Sequence, residues 1–120
     1  MGAAPQDRLT RGLAAEDAAV RHLKKNGLKL VQRNYRSRFG EIDLIMRDRD
    51  TLVFIEVRYR RNSAFGAPHE TVDTRKRARL RATAETFLQR DGQSSRNPCR
   101  FDIVALSGQQ PSLTWIRNAF

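Results

Sequence analysis

The sequence predicts an α/β fold: a mixed β-sheet flanked by helices. Two observations carry this. Apolar stretches with strand-like spacing alternate with two longer stretches of helical spacing, in the order α-β-β-β-α-β-β. At 120 residues, 39% hydrophobic and 30% charged, the chain suits one folded domain with one modest core.

Residues 1–9 read as a loose tail ahead of a single domain spanning 10–120. Residues 10–26 have a helical pattern: Thr10 is placed to cap the start, Lys24 and Lys25 suit the last turn, and Gly27 can take the left-handed position that ends a helix. Leu13, Val20 and Leu23 form its apolar stripe. Strands are expected over residues 28–36, 39–47 and 51–59. "RNSAFGAPH" (61–69) has the Gly and Pro of a loop. A second helix covers about 70–90, with Val72, Leu80, Thr83 and Phe87 on its buried stripe and Asp91-Gly92 at its end. Residues 99–107 and 113–120 supply two last strands.

Composition narrows the function classes. No apolar run approaches the ~18 residues of a membrane span, and "MGAAPQDRLTRG" lacks the apolar block of a secretory leader. One cysteine, Cys99, allows neither an internal disulfide nor a cysteine-based zinc cage, so a reduced, cytoplasmic setting is expected. It is expected as a small buried apolar group. Twenty-three Lys and Arg against thirteen Asp and Glu give a net charge of +10. A small domain this basic attracts polyanions, nucleic acid first among them.

The segment "FGEIDLIMRDRDTLVFIEVRYR" (39–60) concentrates the chemistry. A two-residue turn at Arg49-Asp50 pairs Asp48 with Thr51, which sets Asp43 opposite Glu56 and Glu41 opposite Arg58. Alternation puts these four on one face, with Ile42, Leu44 and Met46 against Val53, Ile55 and Val57 on the other. Directly opposed carboxylates repel at ~4.5–5.5 Å between Cβ atoms. A hard divalent cation resolves that conflict, because Mg²⁺ is held by one or two carboxylates with water and phosphate completing its shell. The plainer account is a solvated face with Glu41 and Arg58 as a surface ion pair. Glu16 falls inside the first helix's apolar stripe, where an unpaired carboxylate is costly; it shares a cation, or pairs with a nearby arginine. Lys76 lies on the buried line of the second helix, four residues after Val72 and four before Leu80, and so points inward. Arg75, Arg77, Arg79 and Arg81 spread over the other faces, either solvated or tracking phosphates together with Arg60 and Arg61.

A helix carboxylate, an Asp on one strand and Glu-x-basic on the next resemble the PD-(D/E)xK nuclease superfamily. More narrowly, "FGEIDLI", "VFIEVRYR", "FGAP" and "CRFDIVA" resemble the YraN-like family of bacterial predicted nucleases, related to archaeal Holliday-junction resolvases. The likeness runs over about residues 10–120. It implies a restriction-endonuclease-like fold and Mg²⁺- or Mn²⁺-dependent cleavage of DNA phosphodiesters. Asp43 and Glu56 match the metal-binding carboxylates and Glu16 the helix glutamate of resolvase-like members. Those relatives act as dimers, which makes a homodimer the assembly implied. The sequence departs from the motif twice: Ile42 stands in place of Pro, and Arg58 in place of Lys. Arginine stays charged and is no base at neutral pH, but it can stabilise developing negative charge. Lys76 is the candidate to supply the missing amine.

The leading expectation is therefore a Mg²⁺-dependent nuclease acting on DNA, with branched or damaged DNA in view. Its competitors are a non-catalytic nucleic-acid-binding protein with a degenerate site, and a protein-interaction role in DNA uptake or repair. His22, on the polar side of the first helix, and His69, in a loop, have no partner at ligand spacing. Asp102, in the matching "RFD", is expected to pair with an arginine rather than serve the site.

Overall fold

The computed structural model describes residues 5–60, 73–90, 97–108 and 112–120. Two helices and five strands follow in the expected order: α1 (Pro5–Lys25), β1 (Lys29–Ser37), β2 (Gly40–Asp48), β3 (Thr51–Arg60), α2 (Thr74–Arg90), β4 (Cys99–Ser107) and β5 (Ser112–Ile116). The strands make one mixed sheet in sequence order, with β3 and β4 parallel and the other neighbours antiparallel. The parallel pair needs a crossover, and α2 lies within it.

Helix α1 starts at Pro5, so Thr10 lies inside the helix and is not its cap. Proline suits a first helical turn, where its missing N–H has no partner to lose. The other end is as expected. Gly27 adopts φ 93°, its N–H donates to the Lys24 carbonyl, and Leu28 N–H donates to the Leu23 carbonyl at 3.1 Å. This paired closure brings Leu23 and Leu28 together in the core. Leu13, expected on the stripe, is 46% exposed; Ala15, Ala19, Val20 and Leu23 are the buried line.

Each face of the sheet has its own core. Val53, Ile55, Leu44, Met46, Val104 and Leu106 pack under α1. Leu52, Phe54, Ile45, Ile103 and Tyr35 pack under Leu80, Ala84 and Phe87 of α2. Alternation along β3 produces this division, and each large side chain fully buried contributes ~1.5–3 kcal/mol. Edge-to-face contacts of Phe87 with Tyr35 and Phe54 tie α2 to the sheet.

The β2–β3 hairpin keeps the expected register, Asp48 opposite Thr51 through Leu44 opposite Ile55, and there the pairing ends. One expectation fails at that point. Ile42 does not share the face of Leu44; it joins the α2-side core with Ile45. The reason lies next door. Asn34 of β1, flanked by the Arg33–Leu44 and Tyr35–Ile42 pairs, has φ 53°. A left-handed residue inside a strand breaks the alternation of faces, so Tyr35 and Ile42 turn towards α2 while Arg33 and Leu44 stay on the α1 side.

Cys99 is exposed rather than buried, since it sits at the first position of β4. The last strand is shorter than expected: it ends at Ile116, and the chain turns through Asn118 (φ 51°) to bring Ala119 N–H onto the Phe101 carbonyl. Arg61, Val72 and His69 lie outside the described residues, as does the loop 61–69.

Candidate functional site

The site begins where β2 parts from β3. A backbone N–H in a strand points in the plane of the sheet towards its neighbour, and beyond Ile55 the neighbour's backbone is no longer paired. The Asp43 carboxylate takes its place, with Oδ2 accepting from Val57 N–H at 2.8 Å. Asp43 therefore stands in the opening between the two strands. On β3, Glu56 has the parity of Phe54 and faces the α2 side, with its side chain 10% exposed.

These two carboxylates are in electrostatic conflict. Burial, and then the charge of Glu56, push the Asp43 carboxyl from its ordinary 3.8 up to about 7; Glu16 and Glu41 act in the same direction, while the Val57 hydrogen bond opposes them. A nearly buried acid beside another acid is the arrangement that a shared cation would relieve.

Two cations come to Glu56. Lys76 Nζ lies 2.6 Å from Oε1, and Arg58 NH2 3.8 Å from the same oxygen. The inward aim read from the position of Lys76 on α2 is what brings its amine here. The first turn of α2 holds it in place: Asp73 Oδ1 accepts from Lys76 N–H at 2.8 Å, and the Asp73 carbonyl accepts from Arg77 N–H. Asp73 is the helix cap that the sequence reading missed. An Asp three residues before Lys76, ahead of a helical run, was the available signal.

Glu16 is only 15% exposed and approaches from α1, but its bonds are to β1. It accepts from Arg33 NH2 at 3.4 Å and from Asn34 Nδ2 at 3.3 Å, and Arg33 also reaches Asp17 at 2.8 Å. Among the described residues no three His, Cys, Asp or Glu side chains converge closely enough to hold a metal ion. Asp43 feels the charge of Glu56 most strongly and that of Glu16 more weakly. Glu41, half-buried, pairs with Arg36 at 3.4 Å rather than with Arg58.

The basic residues of α2 divide. Arg75, Arg79 and Arg81 are exposed and Arg77 is half-buried. Arg77 and Arg81 lie over the Phe120 ring at 5.6 and 5.8 Å, and that ring stacks on Phe101 at 4.9 Å. Arg60, half-buried at the end of β3, accepts Gly108 N–H at its carbonyl. His22 sits edge-on to Trp115 and has no place in the site. Asp102 lies 0% exposed on β4, bound by Arg100 Nε, Trp115 Nε1 and Asn118 N–H at 2.9–3.2 Å, the structural role expected of it.

Residues 15–106, which contain every side chain of this site, match the Uncharacterised protein family UPF0102. The chain belongs to the UPF0102 family. Its similarity to individual members is high: it is 54% identical over 110 residues to a UPF0102 protein of Ectopseudomonas mendocina (91% of this chain, 92% of the relative), 51% over 111 residues to one of Stutzerimonas stutzeri (91% and 92%), and 47% over 114 residues to one of Pseudomonas aeruginosa (92% and 91%). The YraN-like motifs and the UPF0102 match fall on the same stretch of chain. No described helix of this UPF0102 protein is long and apolar enough to cross a membrane.

Proposed function

We propose that this protein is a nuclease-like member of the PD-(D/E)xK superfamily that acts on DNA phosphodiesters in the cytoplasm with Mg²⁺ or Mn²⁺. The observation that carries the reading is the Asp43–Glu56 pair: two mostly buried carboxylates at the mouth of a parted hairpin, one of them raised to about 7 by burial and by the other. Their hard oxygen donors, and their need for positive charge, fit a divalent ion bound by two carboxylates, water and substrate phosphate. Such an ion supplies Lewis-acid stabilisation of a phosphoryl oxygen and a more acidic water.

The chain's own residues supply the rest. Asp43 is fixed by Val57 N–H and keeps one carboxylate oxygen clear of that bond. Lys76 and Arg58 hold positive charge against Glu56, where negative charge would build on a bound phosphate. Arg58 retains its charge throughout, so a proton transfer falls to Lys76 or to water. Glu16 adds negative potential from the α1 side, and the exposed arginines Arg75 and Arg79 lie beside Lys76 on α2 to meet flanking phosphates.

One observation favours the second reading, a nucleic-acid-binding protein with a degenerate site. The 2.6 Å Lys76–Glu56 pair neutralises Glu56 from within. Isothermal calorimetry of Mg²⁺ and Mn²⁺ decides between them. Wild type should bind one of these ions, and Asp43→Asn and Glu56→Gln should abolish binding while the fold persists. Equal titrations for wild type and both variants would remove the metal, and with it the nuclease reading.

A further inference from the structure

The β1–β2 turn is built more firmly than a connection needs. Ser37 Oγ accepts Phe39 N–H at 3.0 Å and bonds Thr83 Oγ1 of α2, also at 3.0 Å. Gly40 lies against the same helix: a Cβ placed there would be 3.8 Å from Thr83 Oγ1 and 3.9 Å from Arg79 Cβ. The turn is thereby clamped to the middle of α2. What it presents is Phe39, 39% exposed, with the Arg38 guanidinium 4.8 Å above its ring.

Phe39 stands at one end of an open groove between the edge strand β1 and the C-terminal half of α2. The groove is a cavity of about 680 Å³ beside a smaller one of about 370 Å³, and Tyr35, Arg36 and Arg90 line both. Its charged lining among the described residues is Arg36, Arg38 and Arg90 against Glu85. The Arg36 side chain is 78% exposed even while touching Glu41. At the floor lies Tyr35, 5% exposed, whose buried hydroxyl has no hydrogen-bond partner among the described residues. An aromatic face and three guanidinium groups are the chemistry of a single-strand site: bases stack on the ring, and phosphates meet the cations.

We propose that this groove holds an unpaired nucleic-acid strand, with Phe39 as its stacking surface and Arg36, Arg38 and Arg90 on its phosphates. The direction is set by α2. Lys76 at Glu56 and Arg90 in the groove are 14 residues apart on one helix, roughly 21 Å at ~1.5 Å per residue. Arg79, exposed, stands between them beside Gly40. A strand lying along this line passes from the groove to the Asp43–Glu56 opening, which selects substrates with a single-stranded arm. The inference rests on the nucleic-acid part of the proposed function and is independent of its metal chemistry.

Fluorescence anisotropy with a labelled oligothymidine strand and a labelled blunt duplex, at several salt concentrations, tests it. Phe39→Ala should weaken the single strand about tenfold, in line with a lost base stack, and leave duplex affinity and thermal melting unchanged. Phe39→Trp should restore binding. Arg36→Glu with Arg38→Glu should flatten the salt dependence by roughly 0.7 for each phosphate no longer neutralised. Single-strand affinity equal in wild type and Phe39→Ala overturns the groove assignment, as does displacement of the strand by polyglutamate that Phe39→Ala also weakens, which would mark an acidic-peptide site. Absence of binding to strand and duplex alike overturns both this inference and the nucleic-acid reading, whereas the metal reading is decided separately by the calorimetric titration.

Discussion

Asp43 and Asp102 are both carboxylates set inward on strands of one sheet, and they have opposite surroundings. Asp102 is wholly buried and receives a guanidinium, an indole N–H and a backbone N–H, so each oxygen is used. Its partner Arg100 goes on to Asp48 at 3.0 Å, which ties β4 to the start of the hairpin turn. Among the described residues Asp43 receives a single N–H, and its charged neighbours include Glu56, Glu16 and Glu41. The difference separates a carboxylate whose charge is fully met by the fold from one whose charge is not. Burial alone does not distinguish them; the sign of what surrounds them does.

The strongest way to break the comparison is at Asp102. Asp102→Ala leaves the guanidinium of Arg100, the indole N–H of Trp115 and the Asn118 amide with their shared acceptor gone, and should cost ~3–5 kcal/mol of stability by denaturant unfolding. Metal titration of whatever folds should match wild type.

Asp43→Asn should do the opposite. The fold raises this acid's pKa from 3.8 to about 7, so between those values the folded state binds more protons than the unfolded one. Stability from this group is therefore greatest below about pH 4, declines as pH rises through 4–7, and is lowest above 7. Asparagine keeps an oxygen for Val57 N–H and has no charge to bury. The variant should exceed wild type above pH 7 by at most about 4 kcal/mol, with the gap closing towards pH 4. Melting curves of the two proteins that run parallel across this range would show that Asp43 is as well satisfied as Asp102.

Lys76 gives the smallest effect on stability and the sharpest on mechanism. Its amine is tied to Glu56, so Lys76→Met should not stabilise the fold; with a third of the side chain exposed, the loss should be only about 1 kcal/mol. A nuclease rate, where one is measured, should fall ~10²–10³-fold in Lys76→Ala and change little in Arg58→Lys. A more stable Lys76→Met with an unaltered rate would detach Lys76 from the site.

Much of this was legible in the sequence where local rules act alone. A short turn and strict alternation were enough to give the hairpin register from Asp48–Thr51 to Leu44–Ile55, but not its end there, beyond which Asp43 bonds Val57 N–H instead of completing a pair with Glu56. Helical spacing was enough to aim Lys76 inward. The reading failed where two strands adjust to each other. Nothing in "RNYR" announces that Asn34 will turn left-handed, yet that single residue sends Ile42 to the opposite core. Asn tolerates that conformation, so the signal was permissive rather than decisive. Side-chain pairing across the fold was equally hidden. The arginine that relieves Glu16 is Arg33, brought within reach by packing of α1 on β1, and periodicity cannot say which of 23 basic residues will arrive.

The Asp73 cap has a consequence in time as well as in space. The same residue, Lys76, donates its backbone N–H to the cap and delivers its amine to Glu56. Helix ends fray on their own, without the rest of the domain opening. Were the first turn of α2 to come undone, the amine would leave Glu56, while the Val57 N–H bond to Asp43, on another part of the fold, would remain. The charge balance of the opening would then follow the winding of one helical turn, with Arg58, 3.8 Å from the same Glu56 oxygen, as the cation left behind.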